Sequence, residues 1–512
     1  MPIPGNPHPY GPWSGGINFS KPAEELTQNE MAEGRNIRIG IGGEAKSRKG
    51  TTPYNGTTVS GGHAYTACGQ HEFSATSSRE FAIVGTKFYE GASGTWTDRT
   101  GSATITAGDD NTWSLADANG TLFGHNGVNG DVLLKWTAAG GNIAAWDVDS
   151  RFTWAKSVEF FDNRGWAGNL SSGTDRVWRS DVSDITTWDA DGYYDFGSEI
   201  TGLKKIGTML AVHTKDTIFG LSPTGNAVTP FRRQPLTNAG TVSNRSLVTI
   251  RVPGSGELQL YIRKDGIYAF NGVDSIKTSG RLDGERYWDS INASRLHKSF
   301  AIVYEQKNEV WFYLPYGTTQ TTMNHILVYD YLRGIFYPPW TGGLNSSLTS
   351  SGIVDNVPVS GDESDGFLYK HEEGLNDTDG STVTAINSYF KTAASPAMGP
   401  DVMLRWLFVR NNFDILGNYE VNITYSSPGI VGQTTTFNQG GGFDAIGAFV
   451  IGESHIAPDD LVALEDTDLT GYDPVVQLQY QNANTSEEMS IRRATAIFKP
   501  IGRMRKPQAG VT

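Results

Sequence analysis

Cysteine is almost missing: Cys68 stands alone in 512 residues. An intrachain disulfide is therefore excluded, and so is a cysteine-built metal site. The lone thiol reads as a small buried side chain in preference to a reactive one. Long apolar runs are missing too. None approaches the ~20 residues that cross a bilayer, so no membrane insertion is expected. The first sixteen residues, MPIPGNPHPYGPWSGG, have neither a basic start nor an apolar core and are not a signal peptide. Basic residues are in deficit: 41 Lys and Arg against 55 Asp and Glu give a net charge of −14. A chain that grips nucleic acid needs clustered cations to neutralise phosphates, so only a surface past which DNA slides remains open. These features suit a soluble chain made in a cytoplasm.

Hydrophobic residues make up 38% and aromatics 11% of the chain, enough for a sizeable core, and the 61 glycines imply many tight turns. The stretch from Glu257 to Trp340 shows what they are for. ELQLYIRKDGIYAFNGVD (Glu257 to Asp274) is an alternating strand, a Lys-Asp-Gly turn, a second strand and an Asn-Gly turn. NEVWFYLPYG and HILVYDYLRGIFYPPW repeat the plan. Alternation places one set of side chains on each face, and the glycine turns supply positive φ for hairpins. The chain is expected to be all-β.

A recurrent strand end followed closely by glycine appears at TKFYEG, TLFGHNG, TIFGLSPTG, GIYAFNG, ILVYDYLRG and FLYKHEEG, between Thr86 and Gly374. The spacing of successive copies, roughly 35 to 60 residues, matches the ~45 residues of a four-stranded propeller blade. SVEFFDNRGWAGNLSS (Ser157 to Ser172) fills the one wide gap. A pair of β-sandwiches would explain the hairpins but not the period. The expectation is a β-propeller of roughly six to eight blades over residues 61–378. An N-terminal arm and entry segment (residues 1–60) precedes it, and a C-terminal β-sandwich-like domain (residues 379–512) follows. The arm either docks on a neighbouring subunit or is disordered. Pro22 to Glu33 is a short helical candidate with carboxylates in its first turn. Lys46, Arg48 and Lys49 form a basic turn, read as solvated. HEEGLNDTDGST (His371 to Thr382) is polar enough to be a boundary, and Gly429 to Asp473 reads as long loops.

No motif specifies a reaction. Asp181, Asp184, Asp189, Asp191 and Asp195 crowd one segment, and Asp189-x-Asp191-Gly192 resembles part of a Ca²⁺ loop. The later bidentate Glu is missing, so self-capping turns are the preferred reading. Asp109/Asp110 and Asp283/Glu285 could be imagined as glycosidase pairs, but acidic residues are common enough for chance pairs. The histidines, among them His63, His71, His125, His213, His297 and His325, show no zinc spacing. Trp311, Phe312, Tyr313, Tyr329, Phe336, Tyr337 and Trp340 could form a sugar platform, yet core packing between blades accounts for them better. No catalytic residue, cofactor site or metal site is assigned.

The order of the segments carries a resemblance. SGGINFSKPAEELTQNEMAEGRNIRIGIGGEAKSRKGTTPYN comes first, then NRGWAGNLSSGTDRVWRSDVSDITTWD with Asp175, Arg176, Val177, Trp178, Ser180, Asp181, Asp184 and Trp188. EITGLKKIGTMLAVHTKDTIFGL, IRKDGIYAFNG, YWDSINASRLHKSFAIVYEQKNEVWFYLPYG and ILVYDYLRGIFYPPW follow. The series, spanning residues 15 to 375, resembles the β-propeller tail nozzle or hub proteins of short-tailed, podovirus-like bacteriophages. That resemblance implies a structural virion protein without enzymatic activity, assembled in the bacterial host cytoplasm. It implies a homo-oligomeric, hexameric ring below portal and adaptor proteins, with tail fibres or spikes attached nearby. Packaged double-stranded DNA would be retained in the lumen without sequence specificity and pass through it on ejection. An acidic lumen would keep phosphates from adhering. The alternative is a carbohydrate-binding or carbohydrate-degrading propeller, such as a receptor-binding tail component.

Overall fold

A computed structural model of the chain describes residues 5–439 and 462–503, apart from 60–62, 93, 284–286, 344–345, 364–365, 380–381, 415, 418 and 428–429. The described chain is all-β, with short 3₁₀ turns as its only helical elements. No helix among the described residues is long and apolar enough to cross a membrane.

From Tyr65 onward the chain lays down four-stranded antiparallel meanders one after another. Their first strands are Tyr65–Ser74, Ser114–Asp117, Ala155–Phe161, Ile200–Ile206, Val248–Val252, Phe300–Tyr304 and Leu348–Val354. Most neighbours among these first strands pack directly on one another, and the seventh packs back on the first. The arrangement is β-propeller-like. The seventh sheet has only three strands of its own, and Thr51–Pro53 supplies the fourth by pairing with Leu368–His371 (Tyr369 opposite Pro53, His371 opposite Thr51). A strand that precedes the first sheet in the chain thus completes the last one.

Hairpin chemistry explains the regularity. Asp162-Asn163 and Asp355-Asn356 each put two consecutive residues at positive φ (53° and 54°; 48° and 62°). Such two-residue turns match the right-handed twist of the strands they join, and Asp and Asn tolerate them. The recurrent strand end falls on the third strand of its sheet in five cases and on the second, Leu122–His125, in one.

Both faces of these sheets are apolar, so large side chains fill the wedges between neighbours. Trp136 is fully buried between the first two sheets, edge-on to Phe73 and Phe88 at 4.6 and 5.0 Å between ring centres. Trp146 and Trp188 meet at 5.4 Å between the second and third. Trp166 and Phe231 meet at 4.8 Å between the third and fourth. The seven aromatics considered as a sugar platform belong to this packing: all are buried except half-buried Tyr329. Cys68 is buried against Ser350, and burial pushes its thiol up to about 11.

The N-terminal segment departs from expectation. Asn6–Tyr10 is neither free nor a neighbour's strand; it pairs with Ala494 to Phe498 of its own chain. Tyr10 is fully buried and its hydroxyl donates to the Val476 carbonyl at 2.7 Å. The helical candidate Pro22 to Glu33 keeps one 3₁₀ turn, Ala23–Glu25, and then becomes the strand Glu30–Arg35, paired with Ser388–Thr392. A twelve-residue helix is marginal alone, and burying Met31 in a sheet outweighs its propensity.

These strands join the C-terminal part in two six-stranded sheets. One contains Asn6–Tyr10, Ile37–Ile39, Ala45–Ser47, Ser490–Arg503, Val402–Asp414 and Val462–Tyr472; the other is built on Glu30–Arg35, Ser388–Thr392, Gln477–Asn482 and Glu420–Ser427. Trp13, Met31, Phe390, Trp406, Ile423 and Tyr480 share one core between them, as expected for a sandwich-like layer pair. Part of the stretch read as loops, Gly429 to Asp473, is strand at Ile430–Asn438 and Val462–Tyr472. Residues 440–461, like the basic tail from Met504, lie outside the described residues.

Candidate functional site

The first strands of the seven sheets surround an axis, and two cavities lie along it, of about 790 and 280 Å³. Trp113, Ser114, Asn244 and Arg245 form a wall common to both. Asn244–Ser246 is a single 3₁₀ turn just before the fifth sheet. Its side chains bind across the axis. Asn244 Nδ2 donates to Ser114 Oγ of the second sheet at 2.9 Å, and its Oδ1 accepts the Leu203 N–H of the fourth at 3.3 Å. Arg245 Nη2 donates to the Thr349 carbonyl of the seventh at 3.0 Å. The guanidinium lies over the Phe300 ring of the sixth, 4.6 Å from its centre. Burial lowers the Arg245 guanidinium to about 10, so it stays charged at neutral pH. Nothing in TVSNRSLVTI marks this turn; small polar residues ahead of an inner strand are the only hint the sequence holds.

The carboxylates singled out in the sequence are mostly engaged. Lys298 Nζ lies 2.6 Å from both Asp109 and Asp110, and Arg295 lies 3.4 Å from Asp110. This three-way pairing holds the Asp110 carboxyl below its usual range. Asp283 is 2.6 Å from Lys277, and Glu285 lies outside the described residues. Asp184 accepts the Thr186 N–H and both threonine hydroxyls that follow it, a self-capped turn. Asp195 pairs with Arg176 at 2.7 Å. Partial burial and then the neighbouring Asp189 carboxylate raise Asp181. Among the described residues, no three His, Cys, Asp or Glu side chains gather to hold a metal ion.

The histidines are dispersed and mostly buried. Burial lowers His213 to about 4, although Gln259 Oε1 lies 3.1 Å from its Nε2, and lowers His325 to about 3, where the ring stacks on Tyr316 at 4.0 Å. His125 sits between the carbonyls of Ala155 and Asp131, and His71 lies 3.0 Å from Asp117. His63 is exposed, and His297 lines the larger axial cavity.

The basic turn and the polar boundary need correcting together. Arg48 is not solvated: it is 2% exposed and forms a fork on Asp377, also 2% exposed, at 2.8 and 2.6 Å. Lys49 reaches Glu488 at 2.7 Å and Lys46 reaches Glu44 at 2.9 Å. Asp377 sits in a strand, Asn376–Asp379, that extends the seventh sheet beyond Thr51–Pro53. Next to it, Arg38 bridges Glu309 at 2.8 Å and Glu372 at 2.6 Å, with Lys307 also on Glu372. Burial would raise the Glu372 carboxyl, but the two cations outweigh it and hold it at about 2. Burial prevails at Glu309 and raises it. The polar stretch is therefore a buried charged joint where the first 60 residues, the propeller-like ring and the C-terminal sheets meet.

No protein-family model matches the chain, and no curated protein matches it. Among solved structures, similarity is found at low identity and low TM-score. The extracellular domain of a one-component system from B. thetaiotaomicron aligns over 94% of this chain and 64% of its own, at 12% identity and a TM-score of 0.41. The extracellular domain of a hybrid two-component system from the same organism gives the same coverage and identity with a TM-score of 0.40. An exo-β-1,3-galactanase from Phanerochaete chrysosporium, solved with galactose, aligns over 88% of this chain and all of its own, at 9% identity and a TM-score of 0.24. The chain spans less than two thirds of the length of the two extracellular domains. None of these likenesses assigns an activity or a ligand to it.

Proposed function

We propose that this chain is a seven-bladed β-propeller that serves as a structural component of a short-tailed phage virion, the nozzle or hub ring of the tail. The observation that carries this reading is the placement of the ordered motif series. DRVWRSD ends the third strand of the third sheet, GLKKIGTMLAVHTKDTIFGL forms three strands of the fourth, and IRKDGIYAFNG forms the central hairpin of the fifth. EVWFYLPYG and ILVYDYLRGIFYPPW then build the sixth. The opening segment GINFSKPAEELTQNEMAEGRNIRIGIGGEAKSRKGTTP knits the ring to the C-terminal sheets. The series is thus one contiguous architectural unit and not a set of scattered matches. In this role copies associate head to tail into a hexameric ring beneath portal and adaptor proteins. Fibres or spikes attach beside it, and double-stranded DNA is retained in, and ejected through, an acidic lumen. A charge of −14 suits a wall past which phosphates slide.

Electron microscopy of virions and of the purified chain tests this. Rings of this chain below the portal are expected. A dispersed monomer that is absent from virions would sink the proposal. The rival reading, a carbohydrate-binding or carbohydrate-degrading propeller, is favoured only by the polar axial cavity. Release of sugars from host surface glycans, lost on substituting Asp110 or Glu199, would select it.

A further inference from the structure

We propose that a third cavity, off the propeller axis, is a binding site for a neutral pyranose sugar, stacked on Tyr316 and held by Glu33 and Arg35. Its volume is about 330 Å³, the size of a single small ligand. Three parts of the chain line it: Phe19, Glu33 and Arg35 of the opening segment, Tyr287, Tyr316 and His325 in and beside the sixth sheet, and Tyr389 of the C-terminal sheets. It shares no wall with the two axial cavities, and nothing in it depends on the role of the propeller. Its walls are largely rings. Phe19 lies nearly parallel to Tyr287 (5.7 Å, 13°), Tyr316 nearly parallel to His325 (4.0 Å, 6°), and Tyr287 meets Tyr316 at 5.4 Å. Unlike the fully buried tryptophans wedged between sheets, Phe19, Tyr316, His325 and Tyr389 are half-buried, so ring surface remains for a ligand.

The polar groups decide the ligand. Glu33 and Arg35 stand two residues apart on the strand Glu30–Arg35, so both project from one face. The Glu33 side chain is 46% exposed. Its carboxylate accepts from the Tyr389 hydroxyl at 2.8 Å and from Lys391 Nζ at 2.6 Å, and a carboxylate has sites for about four hydrogen bonds. The Arg35 guanidinium lies 5.3 Å from the centre of the Tyr389 ring. Glu33 only accepts and Arg35 only donates. An anion would be repelled by Glu33 and a cation by Arg35, and an apolar ligand would strip water from both without replacing it. His325, kept neutral by burial, adds no charge. A neutral ring bearing hydroxyls, each able to donate and to accept, satisfies both groups. A pyranose also turns a patch of C–H hydrogens to one side, and these pack on the negative face of an aromatic ring.

Saturation-transfer NMR on the full-length chain tests this. The probes, at millimolar concentration, are glucose, galactose, mannose and N-acetylglucosamine, with open-chain sorbitol and uridine as controls. Saturation of at least one pyranose is expected, strongest at the C–H protons of one ring face, with none reaching sorbitol. Tyr316→Leu, which removes the flat face, should weaken the affinity at least tenfold. Since that change could disturb folding, the isosteric Glu33→Gln at an exposed side chain is measured as well, with a several-fold loss expected from a folded protein. Binding of no pyranose overturns the proposal. So does sorbitol binding as tightly, uridine binding more tightly than every pyranose, or affinity unchanged in both variants.

Discussion

Replacing Arg48 with methionine should be one of the most damaging single changes in the chain. The side chain is buried and makes four hydrogen bonds: the fork on Asp377 at 2.8 and 2.6 Å, Asn36 Oδ1 at 3.1 Å, and the Lys49 carbonyl at 2.9 Å. Thr51 Oγ1 donates to the same Asp377 carboxylate at 3.0 Å. Without the guanidinium, Asp377 is left in a buried site with one hydroxyl donor and little else. Breaking a buried pair on one side costs about 3–5 kcal/mol, because the surviving charge is uncompensated. Replacing both members by apolar residues removes that charge, so Arg48→Met/Asp377→Leu should recover most of the loss. The pair sits where Thr51–Pro53 joins the seventh sheet, so damage should be local first. Urea unfolding followed by tryptophan fluorescence gives the total. Amide hydrogen exchange gives the location: protection should fall first in Thr51–Pro53 and Leu368–His371. A loss below about 1 kcal/mol for Arg48→Met, or a double variant no better than the single one, would show that this pair is not a structural lock.

Other outcomes follow from the same geometry. The Glu372 carboxyl sits at about 2 when folded against 4.5 when unfolded; its contribution, about 3 kcal/mol, is complete above pH ~4.5 and lost as pH falls toward 2. Glu372→Gln should flatten the urea midpoint across that window, and an unchanged acid slope would contradict the pairing. Trp136→Ala should cost about 3–5 kcal/mol by leaving a wedge-shaped void between the first two sheets; a loss under ~1 kcal/mol would mean the wedge collapses. Deleting residues 1–10 should expose the edge of Ser490–Arg503 and lower the melting temperature of the isolated chain, an effect independent of any assembly. An unaltered melt would show that Asn6–Tyr10 adds nothing to the fold.

How far the sequence could be read depends on whether a signal is local. The period of the strand ends and the Asp-Gly and Asn-Gly turns are local, and they located the meanders. Their phase was less secure, since Leu122–His125 is a second strand and the third sheet has Gly173–Arg179 where the motif would stand. Charge was misread because pairing is not local. Arg48 and Asp377 lie 329 residues apart, and the same composition that fits a solvated turn and a linker fits a buried joint.

Val402–Asp414 makes the point within one strand. Strict alternation through MLRWLFVR puts apolar residues on both faces, which by itself leaves the inner face undetermined. In the structure Leu404 and Trp406 are buried, then Val409 and Phe413, so the buried set changes phase by one residue. The change coincides with a register shift against both neighbouring strands between Trp406 and Phe408. A bulge inserts one unpaired residue and turns the following side chains over. Each half of the strand is therefore ordinary one-sided amphipathic sequence, and only the bulge makes the whole look two-sided. Arg245 is the converse case. Its local sequence is ordinary, and its setting comes from four sheets converging on one turn.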